Sequence, residues 1–482
     1  MNLYAVNHRF HYELENLTRA FFPNEKIAVI SCDIIPDTLD SPYILTVYGE
    51  DMSVSVDFQD FSKKLTCNSG GDEELSMATL LYEILKEYTG INLSWGLLTG
   101  VRPIKLFRRL KGNYGEQGAK DYFRNSLLVS EEKTKLASLT CDNEQKILDI
   151  SDERSFSLYI SIPFCPTRCS YCSFVSQSVE KAQHLIPEYV RLLCKEIEIT
   201  ADIAKRLNLR LETVYIGGGT PTTLSAEHLS ELLKAVRESF DMTTCREFTV
   251  EAGRPDTITE DKLVALKEGG CDRLSVNPQT LSNEVLENIG RRHTVEDFYR
   301  SFELARKVGF GHINTDLIAG LPGDTPEGFR KTMRGICELS PESVTVHTLS
   351  MKRSSNLTGN NMQIYKEDCE AVREMLSDAY SSLSTSGLAP YYLYRQSRML
   401  GNMENTGWSK KGFEGLYNVY IMDETHTILA CGAGAVTKLR DFRSDRIERI
   451  FNFKYPYEYN ARFDELMARK DAIIDFYKDL LS

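Results

Sequence analysis

Ser161-Ile162-Pro163-Phe164-Cys165-Pro166-Thr167-Arg168-Cys169-Ser170-Tyr171-Cys172 sets three cysteines at C-x3-C-x2-C directly behind a β-rich run, 157–162. Thiolates are soft ligands suited to iron–sulfur clusters and to zinc. Three of them on one short loop can grip three irons of a four-iron cube and leave the fourth iron open to a non-protein ligand. Structural zinc asks for four protein ligands, often as paired C-x2-C units. No second pair follows here, because the next cysteine, Cys194, lies inside a helical pattern. A structural zinc site stays as the alternative reading of the loop.

Outward from the loop, β-rich runs recur at 211–216, 247–252, 273–277, 312–318 and 343–349, with helical stretches between them. In the clearest of these, Leu229, Leu232, Leu233, Val236 and Phe240 share one helical face. Such alternation predicts βαβ units and a parallel sheet. With the run before the cysteines there are six units, which predicts an α/β fold: an open, partial (β/α)6 TIM-like barrel. Chemistry in such barrels sits at the C-terminal ends of the strands, and the motifs fall there. Gly217-Gly218-Gly219-Thr220 closes the second run, where glycine lets the backbone approach a ligand. Glu251 ends the third run, Gln279 follows the fourth and Asp316 sits in the fifth. Each is polar beside an apolar run, and buried polar groups need partners. Arg291, in Gly290-Arg291-Arg292-His293, can pair with a carboxylate in bidentate fashion.

The flanks divide the 482 residues into three regions. Residues 1–150 read as an N-terminal α+β domain, with strands at 42–48 and 53–58 and a helix over 75–88. Residues 151–355 hold the barrel. Residues 356–482 read as a substrate-covering C-terminal region, mostly helical α+β. It carries a helix over 368–383, the phrase Tyr391-Tyr392-Leu393-Tyr394 and the Gly-rich phrase Cys431-Gly432-Ala433-Gly434-Ala435.

Composition narrows the class. Hydrophobic residues make up 42% and charged residues 26%, ordinary for a globular chain. A net charge of −12 argues against a nucleic-acid partner. No run approaches the ~20 apolar residues that span a bilayer, and the N-terminus lacks a signal-peptide pattern. The expectation is a cytoplasmic protein without stable membrane insertion. Thiols there are kept reduced, so the nine scattered cysteines among the twelve read as small buried hydrophobes.

With the cysteine loop, the glycine segment and the rim residues in this order, the chain resembles the radical S-adenosylmethionine (radical SAM) superfamily. Within it, the order Tyr159, cysteine triad, Gly-Gly-Gly-Thr-Pro-Thr, Glu251, Gln279, Gly-Arg-Arg-His and Asp316-Leu-Ile-Ala-Gly-Leu-Pro resembles the oxygen-independent coproporphyrinogen III oxidase family. The phrases at 98–106, 346–349, 352–355, 391–396 and 400–407 resemble its HemZ branch. The resemblance implies a 4Fe-4S cluster on Cys165, Cys169 and Cys172, and S-adenosylmethionine on its open iron. It makes Tyr159, Phe174, Gly218, Gly219, Thr220, Glu251, Gln279, Arg291 and Asp316 candidate contacts of that cofactor. The implied reaction is the radical decarboxylation of two propionates of coproporphyrinogen III to the vinyls of protoporphyrinogen IX, in haem biosynthesis. It takes electrons from a low-potential donor of the flavodoxin or ferredoxin type. A tetra-anionic substrate suits Lys352, Arg353 and Arg395, and a flat macrocycle suits Tyr391, Tyr392 and Tyr394.

The chain departs from that pattern in one place. Phe174 stands where the best-known oxidases carry a fourth cysteine, which brings the loop closer to the haem chaperone HemW. HemW's His-Asn-x-x-Tyr-Trp phrase is met only by Tyr417-Asn418-Val419-Tyr420-Ile421, without the His or the Trp. A haem chaperone and a radical SAM enzyme acting on haem are the alternative functions.

Overall fold

The computed structural model describes residues 1–68, 70–174, 176–351 and 363–481. Five strands form the first sheet: β1 (Asn2–Val6), β2 (Ala28–Cys32), β3 (Tyr43–Val47), β4 (Asp51–Phe58) and β5 (Phe61–Asn68), in the order β2-β1-β3-β4-β5. Two helices bury their apolar stripes against it. Helix α1 (His11–Phe21) contributes Leu14, Leu17 and Phe21, and α2 (Glu73–Thr89) contributes Leu81, Ile84 and Leu85. The Asp72 side chain caps α2 by accepting from Leu75 N–H, and Gly90 ends it with φ +66°.

Helices α3 (Pro103–Asp121) and α4 (Glu131–Leu148) belong elsewhere. Their Ile104, Phe107, Leu136 and Ala137 pack into the core of the large sheet. Asn143 on α4 donates to the Pro390 carbonyl at 2.9 Å. The two apolar cores therefore part near residue 100, whereas the sequence reading sets its boundary at 150. An amphipathic helix shows which of its faces is buried, and not which sheet covers that face.

Six parallel strands build the partial barrel: β6 (Ser155–Ile162), β9 (Arg210–Gly218), β10 (Glu247–Glu251), β11 (Arg273–Ser275), β12 (His312–Ala319) and β13 (Ser343–Thr348). Between β6 and β9 lies a miniature pair, β7 (Phe164–Cys165) with β8 (Gln177–Ser178). Helices α5 (Val179–Ala182), α6 (Ile186–Arg206), α7 (Ala226–Ser239), α8 (Glu260–Glu268), α9 (Asn283–Asn288), α10 (Val295–Val308) and α11 (Pro326–Leu339) lie along the strand connections. Leu229, Leu232, Leu233 and Val236 of α7 are buried, as their spacing predicts.

The C-terminal region carries five helices and five strands among its described residues, and its strands extend the barrel sheet at both edges. On one side β15 (Asn405–Ser409) runs antiparallel to β13, followed by β14 (Ala389–Tyr394). On the other, β16 (Thr427–Cys431) runs parallel to β6, followed by β17 (Val436–Arg440) and β18 (Ile447–Phe451). The Gly-rich phrase turns the chain out of β16 against the end of β6. Gly432 has φ +94°, and a Cβ there would stand 2.5 Å from the Ser161 carbonyl oxygen.

Candidate metal centre and cofactor pocket

Strand β6 delivers the chain to the barrel mouth, and the cysteine loop starts where it ends. Cys165 lies in β7, and Cys169 and Cys172 share a turn closed by Cys172 N–H to the Cys169 carbonyl at 3.2 Å. Cys169 is buried and the other two are half-buried. Two of the sulfurs receive donors from other strands' ends. Thr220 Oγ1 donates to Cys165 Sγ at 3.5 Å, and Arg254 Nη1 donates to Cys169 Sγ at 3.6 Å. Burial raises the Cys172 thiol, and Cys169 and Cys165 add to the shift, so the three sulfurs lie within electrostatic reach of one another. Elsewhere burial pushes Cys141 to about 11 and Cys194, Cys245 and Cys431 to about 12. Those four are protonated thiols and poor ligands. Among the described residues, no three His, Cys, Asp or Glu side chains converge as around a single ion. A cube that takes one thiolate per iron does not require them to.

The glycine segment holds that loop in place. Gly219 N–H donates to the Ile162 carbonyl at 2.8 Å and Thr220 N–H to the Phe164 carbonyl at 2.7 Å. A Cβ on Gly219 would stand 2.5 Å from the Phe164 oxygen, and one on Gly218, at φ +106°, 2.9 Å from Ser161 Oγ. The sequence reading assigns these glycines to ligand approach. Their first task in the structure is a close approach of β9's end to the cysteine loop.

Around the mouth, side chains from β12, β13 and the segment past β11 meet. Asp316 Oδ2 accepts from Asn277 Nδ2 and Oδ1 from Asn314 Nδ2, both at 2.8 Å, and His347 Nε2 lies 3.8 Å from Oδ2. Burial opposes its ionisation. The nearby His347, with polar help from Asn314 and Thr345, outweighs that and holds the Asp316 carboxyl below the usual range. Gln279 has φ +70°, and its buried Oε1 has no hydrogen-bond partner among the described residues. Strain and an orphaned acceptor at one rim position suit a ligand group. Arg291 is buried and largely spent: Nη1 donates to the Gly253 and Asn277 carbonyls and Nη2 to Tyr171 Oη. Among the described residues only Nε lacks a partner, which leaves no free fork for the bidentate pairing expected of it. Tyr159 stacks on Tyr215 and Tyr417, at 6.3 and 6.1 Å between ring centres, so the upper barrel is filled by tyrosine faces.

Glu251 behaves differently from Asp316. Burial pushes its carboxyl up to about 7; the Tyr215 hydroxyl lowers it and the Asp316 charge raises it. In the unfolded chain the carboxyl returns to its ordinary value of about 4.3. The folded state thus holds the proton more tightly, and the stability this contributes is complete below the unfolded value. It is lost as pH rises through about 7. The melting temperature of the cofactor-free chain should fall between pH 5 and pH 8, and Glu251→Gln should flatten that fall. A change of 1 kcal/mol reads as about 2–4 °C in a domain of 150–250 residues. Equal slopes in the two proteins would contradict the assignment.

The substrate candidates fare unevenly. Lys352 and Arg353 lie outside the described residues. Tyr391 and Tyr392 are only 1% and 4% exposed and form a T-shaped pair, with the Tyr392 ring lying over the bare backbone of Gly407. They pack the barrel and offer no exposed shelf for a macrocycle. Tyr394 is half-buried and stacks on Tyr392 at 6.2 Å. Arg395 is 3% exposed and donates to the Leu98 and Asn402 carbonyls, and its guanidinium lies over the Trp95 ring. Its fork is committed to backbone carbonyls, which corrects the expectation that it binds substrate carboxylates. Phe174, expected at the cofactor, is 65% exposed.

Sequence reasoning overlooked Arg254, Asn277, Asn314, Tyr215, Tyr417 and His347 as site residues. His347 was open to discovery: it stands one residue before the end of β13 and shares Thr345's face, where barrel chemistry sits.

Comparison with known proteins agrees with this geometry. Residues 159–336 match the Radical SAM superfamily. The oxygen-independent coproporphyrinogen-III oxidase-like protein HemZ of Bacillus subtilis is 36% identical over 481 residues, which cover 96% of this chain and 95% of that protein. Heme chaperone HemW of the same organism is 35% identical over 268 residues, 54% of this chain and 68% of that protein. The structure of coproporphyrinogen III oxidase (HemN) from Escherichia coli superposes with a TM-score of 0.53 at 24% identity, over 67% of this chain and 72% of that one. A likeness spanning nearly the whole length, on a parallel barrel whose mouth carries the cysteine loop, places the chain in the radical SAM superfamily as an oxidoreductase of the oxygen-independent coproporphyrinogen III oxidase-like kind.

Proposed function

We propose that the chain converts coproporphyrinogen III to protoporphyrinogen IX, with Cys165, Cys169 and Cys172 as the protein ligands of its cluster. Membership of the superfamily implies a 4Fe-4S cluster and S-adenosylmethionine. The residues fit both groups: donors already point at two of the three sulfurs, and Gln279 Oε1 at the same mouth has no partner among the described residues. When bound, these cofactors would supply one-electron chemistry for removing hydrogen beside the pyrrole ring, with loss of carbon dioxide and transfer of the substrate's remaining electron to a one-electron acceptor.

The chain's own residues bind and orient. The glycine segment holds the loop beside β9 and would face the cofactor's amino group. Asp316, held by the amides of Asn277 and Asn314, would accept hydroxyl hydrogen bonds from the cofactor. Glu251, Gln279 and Arg291 Nε offer further polar contacts, and the stacked tyrosines exclude water beneath. A low-potential donor of the flavodoxin or ferredoxin type supplies the electron. The observation that carries this reading is the cysteine loop with its cross-strand donors, joined to a near full-length likeness to HemZ.

Coproporphyrinogen III, S-adenosylmethionine and a low-potential reductant, incubated anaerobically with the reconstituted chain, should yield protoporphyrinogen IX, deoxyadenosine and carbon dioxide. Deoxyadenosine without decarboxylation would move the substrate elsewhere. The HemW likeness supports a second reading, haem transfer. Stable stoichiometric haem capture with no turnover would favour it. Among the described residues no helix is long and apolar enough to cross a membrane.

A further inference from the structure

Hydrogen bonds and charge at the ligating sulfurs help set how readily an iron–sulfur cluster takes an electron. Arg254 lies just past the end of β10, in Gly253-Arg254-Pro255-Asp256, and is only 3% exposed. Nε and Nη2 pair with the two Asp256 oxygens, both at 3.0 Å, which fixes the fork from behind. In front, Nη1 and Nη2 donate to Thr167 Oγ1 at 3.2 and 3.1 Å, and Nη1 reaches the Thr167 carbonyl at 3.4 Å. The same Nη1 stands 3.6 Å from Cys169 Sγ. Thr167 lies midway between Cys165 and Cys169, so one side chain grips both the turn and a candidate ligand. A cation buried this deeply needs anionic partners. Asp256 supplies one, and a thiolate at Cys169 would supply the other.

We propose that Arg254 is a positioning residue that sets the potential of the cluster through Cys169. Reduction adds one electron to the cluster, with no bond made and no proton taken up. A guanidinium at the ligand sulfur favours the state with the extra negative charge and so raises the reduction potential. A purely structural salt bridge would hold the loop and leave the potential unmoved. The inference rests on the cluster reading given above.

The test is an EPR-monitored redox titration of the full chain, reconstituted anaerobically with iron and sulfide. Arg254→Gln should keep about four irons and titrate at a more negative potential. The expected shift is at least tenfold in the oxidised-to-reduced ratio at fixed potential, which is 59 mV for a one-electron couple. Arg254→Lys keeps the charge without the fork and should fall between. A midpoint equal to that of the unsubstituted chain in Arg254→Gln overturns the proposal. If that variant holds no cluster, Arg254→Lys decides: a negative shift supports the proposal and an unshifted midpoint overturns it. Should the unsubstituted chain bind no iron, the cluster reading fails and this inference goes with it. A loaded cluster with an unmoved potential sinks the inference alone.

Discussion

Replacing Cys169 by alanine should strip the loop of its iron. The reconstituted parent should hold about four irons per chain, and the variant should fall to background, with deoxyadenosine production lost alongside. Cys169 is the most deeply placed of the three thiols, and it is the one that Arg254 touches. With alanine there, two sulfurs remain for a cube that needs three. The buried guanidinium of Arg254 then faces a methyl group, and its remaining partners are Asp256 and Thr167. Cys141→Ala is the control. That thiol is buried in the main core and protonated, so its loss should leave the iron count unchanged. One zinc and no iron in the parent would refute the cluster assignment, whatever the variants do.

Glu404→Ala should cost about 3–5 kcal/mol of stability, because it strands a buried cation. Glu404 Oε1 pairs with Lys133 Nζ at 2.7 Å and Oε2 accepts from Trp95 Nε1 at 2.7 Å. Both charged side chains are 3% exposed. The pair ties α4 to the segment before β15, and Trp95 brings in the chain leaving the first domain. Arg395 stacks on the same indole. Without Glu404, Lys133 keeps, among the described residues, only the ion pair with Glu132, whose side chain is 42% exposed, and the indole N–H loses its acceptor. Trp95→Phe, which removes one hydrogen bond and some packing, should cost about 1–3 kcal/mol. Pairing Glu404→Leu with Lys133→Met should recover much of the loss, since no charge is then left unpaired. Urea midpoints read all of these. A Glu404→Ala midpoint matching the parent would mean that the cation finds water or another carboxylate.

This junction also explains what the branch-specific phrases do. The 98–106, 391–396 and 400–407 phrases read as marks of the HemZ branch, and 391–396 alone among them holds substrate candidates. In the structure Leu98, Arg395, Asn402 and Glu404 meet one another around Trp95. They are the joint between the first domain and the barrel. A charged or aromatic residue in a short phrase looks the same in sequence whether it faces a ligand or a buried carbonyl. Only the burial of Arg395 and the backbone carbonyls around it settle that choice.

The barrel itself was legible. Six β-rich runs with helices between them reappear as six parallel strands, within a few residues at each end. The strand Thr427–Cys431 was not legible, because its length and composition match many buried segments and its parallel pairing with β6 spans more than 250 residues. The same distance hides the rim network. Asn277, just past β11, Asn314 and Asp316 on β12 and His347 on β13 are far apart in the chain and meet through register.

By itself the sequence determined the cysteine loop, the order of the barrel's strands and helices, and the strand ends at which polar residues stand, because each of these is written within a few neighbouring residues. Tertiary structure alone decided that Arg254 would reach Cys169, that Glu251 and Asp316 would titrate apart, and that Arg395 would be spent inside the protein. Those outcomes depend on desolvation and on partners far away in the chain, and neither is a property of any local stretch.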